Sequence, residues 1–193
     1  MLTEFKKAAE LLRTGKLVCL PTDTQYALTC NACDEEAVQS LIAAKGRKPN
    51  HPLPILVKDL NQAREHAEFN EKALELAAKY WPGALTLVLK QKKSSSLAPA
   101  INQGFTTIAV RQSKAVEAIL AEVDFPIVGT SANISGEPTI MNHGELQKAF
   151  GSQVSLIIPN THPLTDLPST ILDLTSGEIK VVREGALTDA INT

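Results

Sequence analysis

Apolar residues recur along the chain at two spacings, one typical of helices and one typical of strands. Residues 3–14 carry apolar side chains at helical spacing, with Thr3 suited to cap this helix and Gly15 suited to end it. Asp34 is placed to cap a second helix that ends near residues 43–47. The same patterns predict helices over residues 73–81, 115–123 and 143–150, and strands over residues 16–20, 53–57, 85–89, 106–110, 126–129, 154–158, 170–174 and 179–182.

The order of these elements indicates the fold class. Helices and strands are mixed throughout, and some neighbouring strands are joined by short turns, which favours an α/β fold with a mixed sheet over a purely parallel one. The chain has 193 residues, of which 44% are hydrophobic. It can therefore bury one sizeable core, and we expect neither a disordered chain nor a coiled coil.

Charge and composition narrow the classes of function. The chain has 19 Lys and Arg residues and 21 Asp and Glu residues, so its net charge is −2. Only 4% of its residues are aromatic. Nucleic-acid binders neutralise phosphates with cations and stack bases on aromatic rings, so we expect weak or no direct nucleic-acid binding. Three cysteines do not make a secreted disulfide framework, and no run of about 18 apolar residues occurs. We expect a cytoplasmic protein with no membrane segment.

Cys30 and Cys33 have the C-x-x-C spacing just before a predicted helix. Such a pair can be redox-active, or it can supply half of a zinc site, which would need two further ligands at a suitable spacing. The alternative is two small residues at the edge of a turn. We predict neither a zinc site nor a functional disulfide here.

Polar segments follow several predicted elements, at the positions where binding sites are commonly built. Each has an ordinary structural alternative: an Asx-turn, cations at a helix end, a snorkelling arginine or a long polar turn. Together they supply several cations and many hydroxyls but no evident nucleophile. This combination suits a polyanion such as a nucleoside triphosphate, with catalysis by positioning and charge stabilisation. The segments are PTDTQY (21–26), KGRKP (45–49), TTIAVR (106–111), GTSANISG (129–136), PST (168–170) and the cation Arg183.

These segments, with their neighbours, resemble the YrdC / TsaC family of L-threonylcarbamoyladenylate synthases. The resemblance implies a single α/β domain over residues 1–193, with a twisted mixed sheet, flanking helices and an open cationic cavity. The resembling stretches are PTDTQYAL (21–28), KGRKP (45–49), WPGALT (81–86), TTIAVR (106–111), TSANISG (130–136), PSTILD (168–173) and VVREG (181–185).

The resemblance also implies a reaction, in which L-threonine, bicarbonate and ATP give threonylcarbamoyl-AMP and pyrophosphate. Magnesium would accompany ATP without direct protein ligands, and partner proteins would transfer the threonylcarbamoyl group to tRNA. Family roles fall on these residues: Lys45 and Arg47 on the nucleotide phosphates as the catalytic cations; Thr24, Arg111, Ser131 and Ser169 on threonine; and Thr107, Asn133 and Arg183 on ATP.

The chain departs from the family pattern at a few positions. Gln25 and Ala27 replace Val and Gly, Ala84 replaces Pro, and Glu184 places a negative charge beside Arg183. Leu56 stands near the place where longer relatives carry a histidine for threonine.

Three other functions stay open at the level of sequence. One is an RNA-binding or ribosome-maturation module without catalysis, which the net charge of −2 weakens. Another is a domain that handles carbamoyl phosphate, and the third is a nucleotide-binding regulator. Pyrophosphate release that requires both threonine and bicarbonate would distinguish the synthase from all three.

Overall fold

The computed structural model describes residues 2–160, 164–165 and 167–187. Within them the chain forms helices and strands in mixed order, together with two short 3-10 turns at Pro99–Ile101 and Lys114–Val116. The helices are α1 (Leu2–Arg13), α2 (Glu35–Lys45), α3 (Leu60–His66), α4 (Glu71–Tyr80), α5 (Glu117–Leu120) and α6 (His143–Phe150). The strands are β1 (Val18–Pro21), β2 (Tyr26–Thr29), β3 (Ile55–Val57), β4 (Leu85–Lys90), β5 (Thr107–Gln112), β6 (Ile127–Val128), β7 (Thr130–Ser131), β8 (Leu156–Ile157), β9 (Thr170–Asp173) and β10 (Lys180–Arg183).

The strands form two mixed sheets. The smaller sheet has the order β7-β2-β1-β8, and the larger has the order β10-β9-β4-β5-β3-β6. Parallel pairs join β1 to β8, β3 to β5 and β4 to β9, whereas the other pairs are antiparallel. The predicted mixed α/β class is confirmed, with the strands divided between two sheets.

Helix α2 shows how the sequence fixes an element that matters for the site. Asp34 caps its start, because the carboxylate accepts a hydrogen bond of 3.1 Å from the Ala37 amide. Gly46 ends it with a φ of 57°, a left-handed conformation that glycine adopts without steric cost. The predicted helix is therefore confirmed, and Lys45 occupies its last turn.

Several predicted boundaries are wrong. Helix α1 begins at Leu2, so Thr3 lies inside it and does not cap it. The helix predicted over residues 115–123 shrinks to α5 preceded by a 3-10 turn. Strands β2 and β7 and helix α3 had no prediction. Their apolar runs are too short to reveal a spacing, and β2 follows directly on a polar turn.

Buried apolar side chains form two clusters. One is large and includes Tyr26, Leu87 and Phe150. The other lies where α1 and α5 pack, and Leu12 and Leu120 are fully buried in it. Strand ends and loops beside these clusters carry the candidate site residues, so their backbones are held by the core.

Candidate functional site

The turn between β1 and β2 is fixed by its own hydroxyl groups. Thr22 Oγ1 accepts hydrogen bonds of 3.2 Å from the amides of Thr24 and Gln25, and it donates one of 2.7 Å to the Gln25 carbonyl. Thr24 is buried, and its hydroxyl lies 3.1 Å from that of Thr22. These hydrogen bonds fix the turn, so the Thr24 hydroxyl is kept in one position beside the end of β5.

Arg111 lies near the end of β5 and is only 7% exposed. Its Nε donates to the Gly83 carbonyl at 2.9 Å, and its Nη1 donates to Thr24 Oγ1 at 3.3 Å. Its Nη2 lies 2.6 Å from Asp23 Oδ1 in an ion pair, without the alignment of a hydrogen bond. The guanidinium is thus held in one orientation while Nη2 keeps donor capacity for an oxyanion.

Ser169 and Arg183 form a second part of the site. The Ser169 hydroxyl lies 2.8 Å from that of Thr86, and Arg183 Nη2 donates to it at 3.1 Å. Arg183 also donates to the Ser169 carbonyl from Nε at 3.1 Å and from Nη2 at 2.9 Å. Burial lowers the pKa of Arg183, and the positive charge of Arg111 lowers it further. Two arginines close enough to repel each other are a favourable place for an anion.

Gly185 lets the chain after β10 approach Ser169. A Cβ atom at this position would lie 2.3 Å from the Pro168 carbonyl oxygen and 2.5 Å from the Ser169 carbonyl carbon. Both atoms belong to the backbone, which cannot rotate away as a side chain can. The Ala186 amide donates to the Pro168 carbonyl at 2.9 Å, which closes this approach.

Lys45 is 1% exposed and reaches from the end of α2 into the loop after β7. Its ammonium donates to the carbonyls of Ser131 and Asn133 and to Asn133 Oδ1, the last two at 2.9 Å. Three contacts engage all three N–H donors of an ammonium. Burial, with a smaller effect from Arg47, lowers the pKa of Lys45 to about 7. In this structure Lys45 anchors the loop that carries Ser131 and Asn133.

Ser131, Asn133 and Arg47 surround this anchor. Ser131 Oγ donates to Asn133 Oδ1 at 2.7 Å, and Asn133 Nδ2 donates to the Glu137 carbonyl at 2.6 Å. Arg47 donates to the carbonyls of His51 at 2.7 Å and Pro52 at 2.9 Å, and Nη1 lies 3.5 Å from Thr130 Oγ1. Burial lowers the pKa of Arg47. Arg47 therefore fixes the loop after α2 beside the strand that carries Ser131.

The structure brings most, but not all, of the predicted site residues together. Thr24 and Arg111 are in contact, as are Ser169 and Arg183, and the two arginines lie near each other. Lys45, Arg47, Ser131 and Asn133 form a neighbouring group, which β7 joins to β2 through the pairing of Ser131 with Ala27. Thr107 is separate, because it pairs with Lys90 at the other end of β5, about 13 Å along the strand from Arg111.

The sequence prediction gave no specific role in the family site to three residues that the structure places here. Asp23 pairs with Arg111, Thr86 contacts Ser169, and Thr130 lies beside Arg47. Asp23 and Thr130 stand inside segments that the sequence already marks as polar, so their position was the available signal. Thr86 alternates with apolar residues in β4 and gave no signal of its own beyond the WPGALT resemblance.

The substituted positions have distinct surroundings. Gln25 Oε1 accepts a hydrogen bond of 3.1 Å from Thr139, which ties the β1–β2 turn to the loop after β7. Leu56 is buried in the cluster of α1 and α5, opposite Arg111 in the pairing of β3 with β5. A Cβ at Gly129 would lie 2.4 Å from Leu56 Cγ, so these two residues are fitted to each other.

Other features of the described residues bear on the predicted cavity, metal and location. Two surface cavities of about 490 and 390 Å³ lie elsewhere, around His66 and beside Thr175, so the predicted cationic cavity stays a prediction.

No group of three or more His, Cys, Asp or Glu side chains is placed to hold a metal ion in the part of the chain that the structure describes. Within the same residues no helix has the length and apolar character needed to span a bilayer. Cys30 and Cys33 are free thiols.

Comparisons with known proteins place this arrangement in a family. The Sua5/YciO/YrdC family model, whose description is "Telomere recombination", matches residues 10–185. The threonylcarbamoyl-AMP synthase of Pyrococcus abyssi is 39% identical over 188 residues, which cover 95% of this chain and 54% of the relative. The chain therefore spans about half the length of that relative.

Solved structures agree with the sequence match. P. abyssi Sua5 complexed with L-threonine superposes with a TM-score of 0.91 at 35% identity, covering 97% of this chain and 55% of that one. E. coli YciO superposes with a TM-score of 0.87 at 27% identity, covering 96% of this chain and 91% of that one. The family model and the solved structures thus both match nearly the whole chain, and the chain belongs to the Sua5/YciO/YrdC family.

Proposed function

We propose that the chain is an L-threonylcarbamoyladenylate synthase. It converts L-threonine, bicarbonate and ATP into threonylcarbamoyl-AMP, pyrophosphate and water. The observation that carries the proposal is the pair of neighbouring arginines, the buried Arg111 and the more exposed Arg183, beside the hydroxyls of Thr24 and Ser169. P. abyssi Sua5, which has the same fold, has been crystallised with L-threonine. A P. abyssi relative that is 39% identical to this chain is named threonylcarbamoyl-AMP synthase.

The threonine side of the site follows from the donors that remain. Arg111 is held by Gly83 and Thr24, so its Nη2 can meet the threonine carboxylate without reorganising. The hydroxyls of Thr24, Ser131 and Ser169 can each donate or accept, which suits the ammonium, carboxylate and hydroxyl of one amino acid.

The nucleotide side uses the second group of residues. Arg47 keeps N–H donors beyond its carbonyl contacts and carries its charge beside Thr130, where phosphates would be neutralised. Lys45 acts on the nucleotide side by holding the loop that presents Asn133, because that loop engages its three N–H donors. Arg183 extends the cationic surface toward the threonine side. The ATP role of Thr107 stays a prediction, because this residue lies at the other end of β5 from Arg111. Magnesium would be held mainly by the triphosphate and water, as is usual for nucleotide substrates.

Chemistry at this site needs positioning more than a nucleophile. The threonine amine, once uncharged, attacks bicarbonate with loss of water, or attacks carbon dioxide formed from bicarbonate by loss of water and then releases a proton; either route gives a carbamate. A carbamate oxygen then attacks the α-phosphorus of ATP, and pyrophosphate leaves. Negative charge on the phosphoryl oxygens grows during this step, so Arg47 and Arg183 stabilise it. The product would pass to proteins that modify tRNA.

An omission experiment tests the proposal. We expect purified protein to release pyrophosphate from ATP only when L-threonine and bicarbonate are both present. Equal release without threonine would refute it. The alternative of an RNA-binding module is not favoured, because the relatives are named as synthases and the net charge is −2.

A further inference from the structure

Asp23 is a carboxylate of the candidate site that the reaction above leaves without a role. It lies in the turn between β1 and β2, and 24% of its side-chain surface is exposed. Its Oδ1 accepts a hydrogen bond from Ser113 Oγ and lies 2.6 Å from Arg111 Nη2. No hydrogen bond among the described residues ends on Oδ2. The protein therefore holds one oxygen of this carboxylate and leaves the other able to meet a ligand.

Asp23 is not needed merely to orient Arg111. The Gly83 carbonyl and the Thr24 hydroxyl already hold the guanidinium through Nε and Nη1. The Asp23 contact also lacks the alignment of a hydrogen bond, so it adds charge rather than direction. A carboxylate beside an arginine that must bind a carboxylate would only weaken that binding, unless it contacts a positive group of the same ligand.

An α-amino acid has the charge pattern that matches this pair. Its ammonium and carboxylate are attached to one carbon, so its two charges lie side by side. Arg111 and Asp23 present a positive and a negative charge 2.6 Å apart in the complementary order. A ligand whose carboxylate lies on Arg111 Nη2 therefore brings its ammonium next to Asp23, where a charge-assisted hydrogen bond can form.

We propose that Asp23 binds the ammonium group of the amino-acid substrate, so that Asp23 and Arg111 together select a zwitterion. This rests on the proposed function, since threonine is the amino acid concerned. The contact is strongest in the ground state, because the nitrogen loses its positive charge when it becomes a carbamate. Loss of Asp23 should consequently raise the KM for threonine more than it lowers kcat.

The test compares two ligands and three variants by calorimetric or NMR titration. The ligands are L-threonine and (R)-3-hydroxybutanoate, which keeps the carboxylate and hydroxyl of threonine but lacks the ammonium. Asp23→Asn preserves the shape of the side chain and removes its charge. Ser113→Ala keeps the charge and removes only one hydrogen bond to it, which provides a second variant if Asp23→Asn folds poorly. Asp124→Asn, at an exposed carboxylate in the turn before β6, is the matched control.

We expect Asp23→Asn to weaken L-threonine binding by roughly 10-fold to 100-fold, the usual range for a hydrogen bond between charged groups. Its affinity for (R)-3-hydroxybutanoate should stay the same or rise, because a negative charge near that carboxylate is gone. Ser113→Ala should have a smaller effect of the same kind, and Asp124→Asn should have none.

Two results would overturn the role of Asp23. One is an unchanged affinity of Asp23→Asn for threonine, and the other is an equal loss for both ligands, which would mean that Asp23 acts only by positioning Arg111. If the wild-type chain binds no threonine at all, the proposed function fails together with this inference.

Discussion

We expect the substitution Gly185→Ala to disturb the site by displacing the backbone that follows β10. The added Cβ would lie 2.3 Å from the Pro168 carbonyl oxygen, 2.5 Å from the Ser169 carbonyl carbon and 2.6 Å from the Thr170 amide nitrogen. Real Cβ atoms stay beyond 3.0 Å, so the backbone after β10 has to move away from Ser169. Overpacking of this kind costs about 1–3 kcal/mol of stability.

The same movement should reduce binding. Arg183, two residues earlier, donates three hydrogen bonds to Ser169, and these stretch when the strand end moves. The loss of one well-placed charged hydrogen bond corresponds to about 1.5–3 kcal/mol, or roughly 10-fold to 100-fold in affinity. We therefore expect the KM for threonine or ATP to rise by at least about 10-fold.

The assay pairs thermal unfolding with steady-state pyrophosphate release. Gly144→Ala, in the first turn of α6, is the control, because its Cβ would meet only the Asn142 side chain at 3.2 Å. We expect this control to stay within about 1 kcal/mol of wild type and to keep full activity. Wild-type stability and KM in Gly185→Ala would refute the reasoning that this glycine positions Ser169 and Arg183.

Three further predictions concern single side chains. Arg47→Ala should lower kcat/KM by about 100-fold or more while Lys48→Ala, an exposed neighbouring cation, has little effect; a loss of only a few-fold would leave Arg47 a loop-fixing residue. Thr86→Val should weaken threonine binding several-fold, because Ser169 loses its 2.8 Å partner while the packing volume is kept; unchanged titration curves would contradict this. Burial lowers the pKa of Lys45 to about 7, so the unfolded chain binds more protons than the native one above that pH. The stability of wild type relative to Lys45→Met should therefore rise between about pH 7 and about pH 10, and a flat difference in melting temperature would contradict it.

Local chemistry explains which elements could be predicted from the sequence. Asp34 and Gly46 mark both ends of α2, because a capping carboxylate and a left-handed glycine act on their own backbone. Strand β2 was missed because all four residues of YALT are buried, so no alternation of apolar and polar positions appears. The division into two sheets depends on pairings between distant segments, and such pairings leave no local pattern.

The same distinction applies to the candidate site: its polar segments could be predicted from the local sequence, but the partners of its side chains could not. The polar segments were visible because several of them follow apolar runs in one chain, although each alone has an ordinary structural explanation. The partners of each side chain were not visible: Lys45 directs its three donors to residues 86 and 88 positions away, whereas the family resemblance implied a contact with the nucleotide phosphates. Asp23 meets Arg111 only because β1 and β5 end near each other in the folded chain. Contacts of this kind follow from topology, which single positions do not encode.

In the proposed function, one site joins threonine, bicarbonate and ATP in a single product. The most direct measurement is mass spectrometry of the product formed with 13C-labelled bicarbonate in the presence of L-threonine and ATP. We expect a threonylcarbamoyl-AMP that carries the label and forms together with pyrophosphate, and its yield should collapse in Arg111→Met. AMP and pyrophosphate that form without any labelled adduct, or a labelled adduct that forms equally well in Arg111→Met, would contradict it.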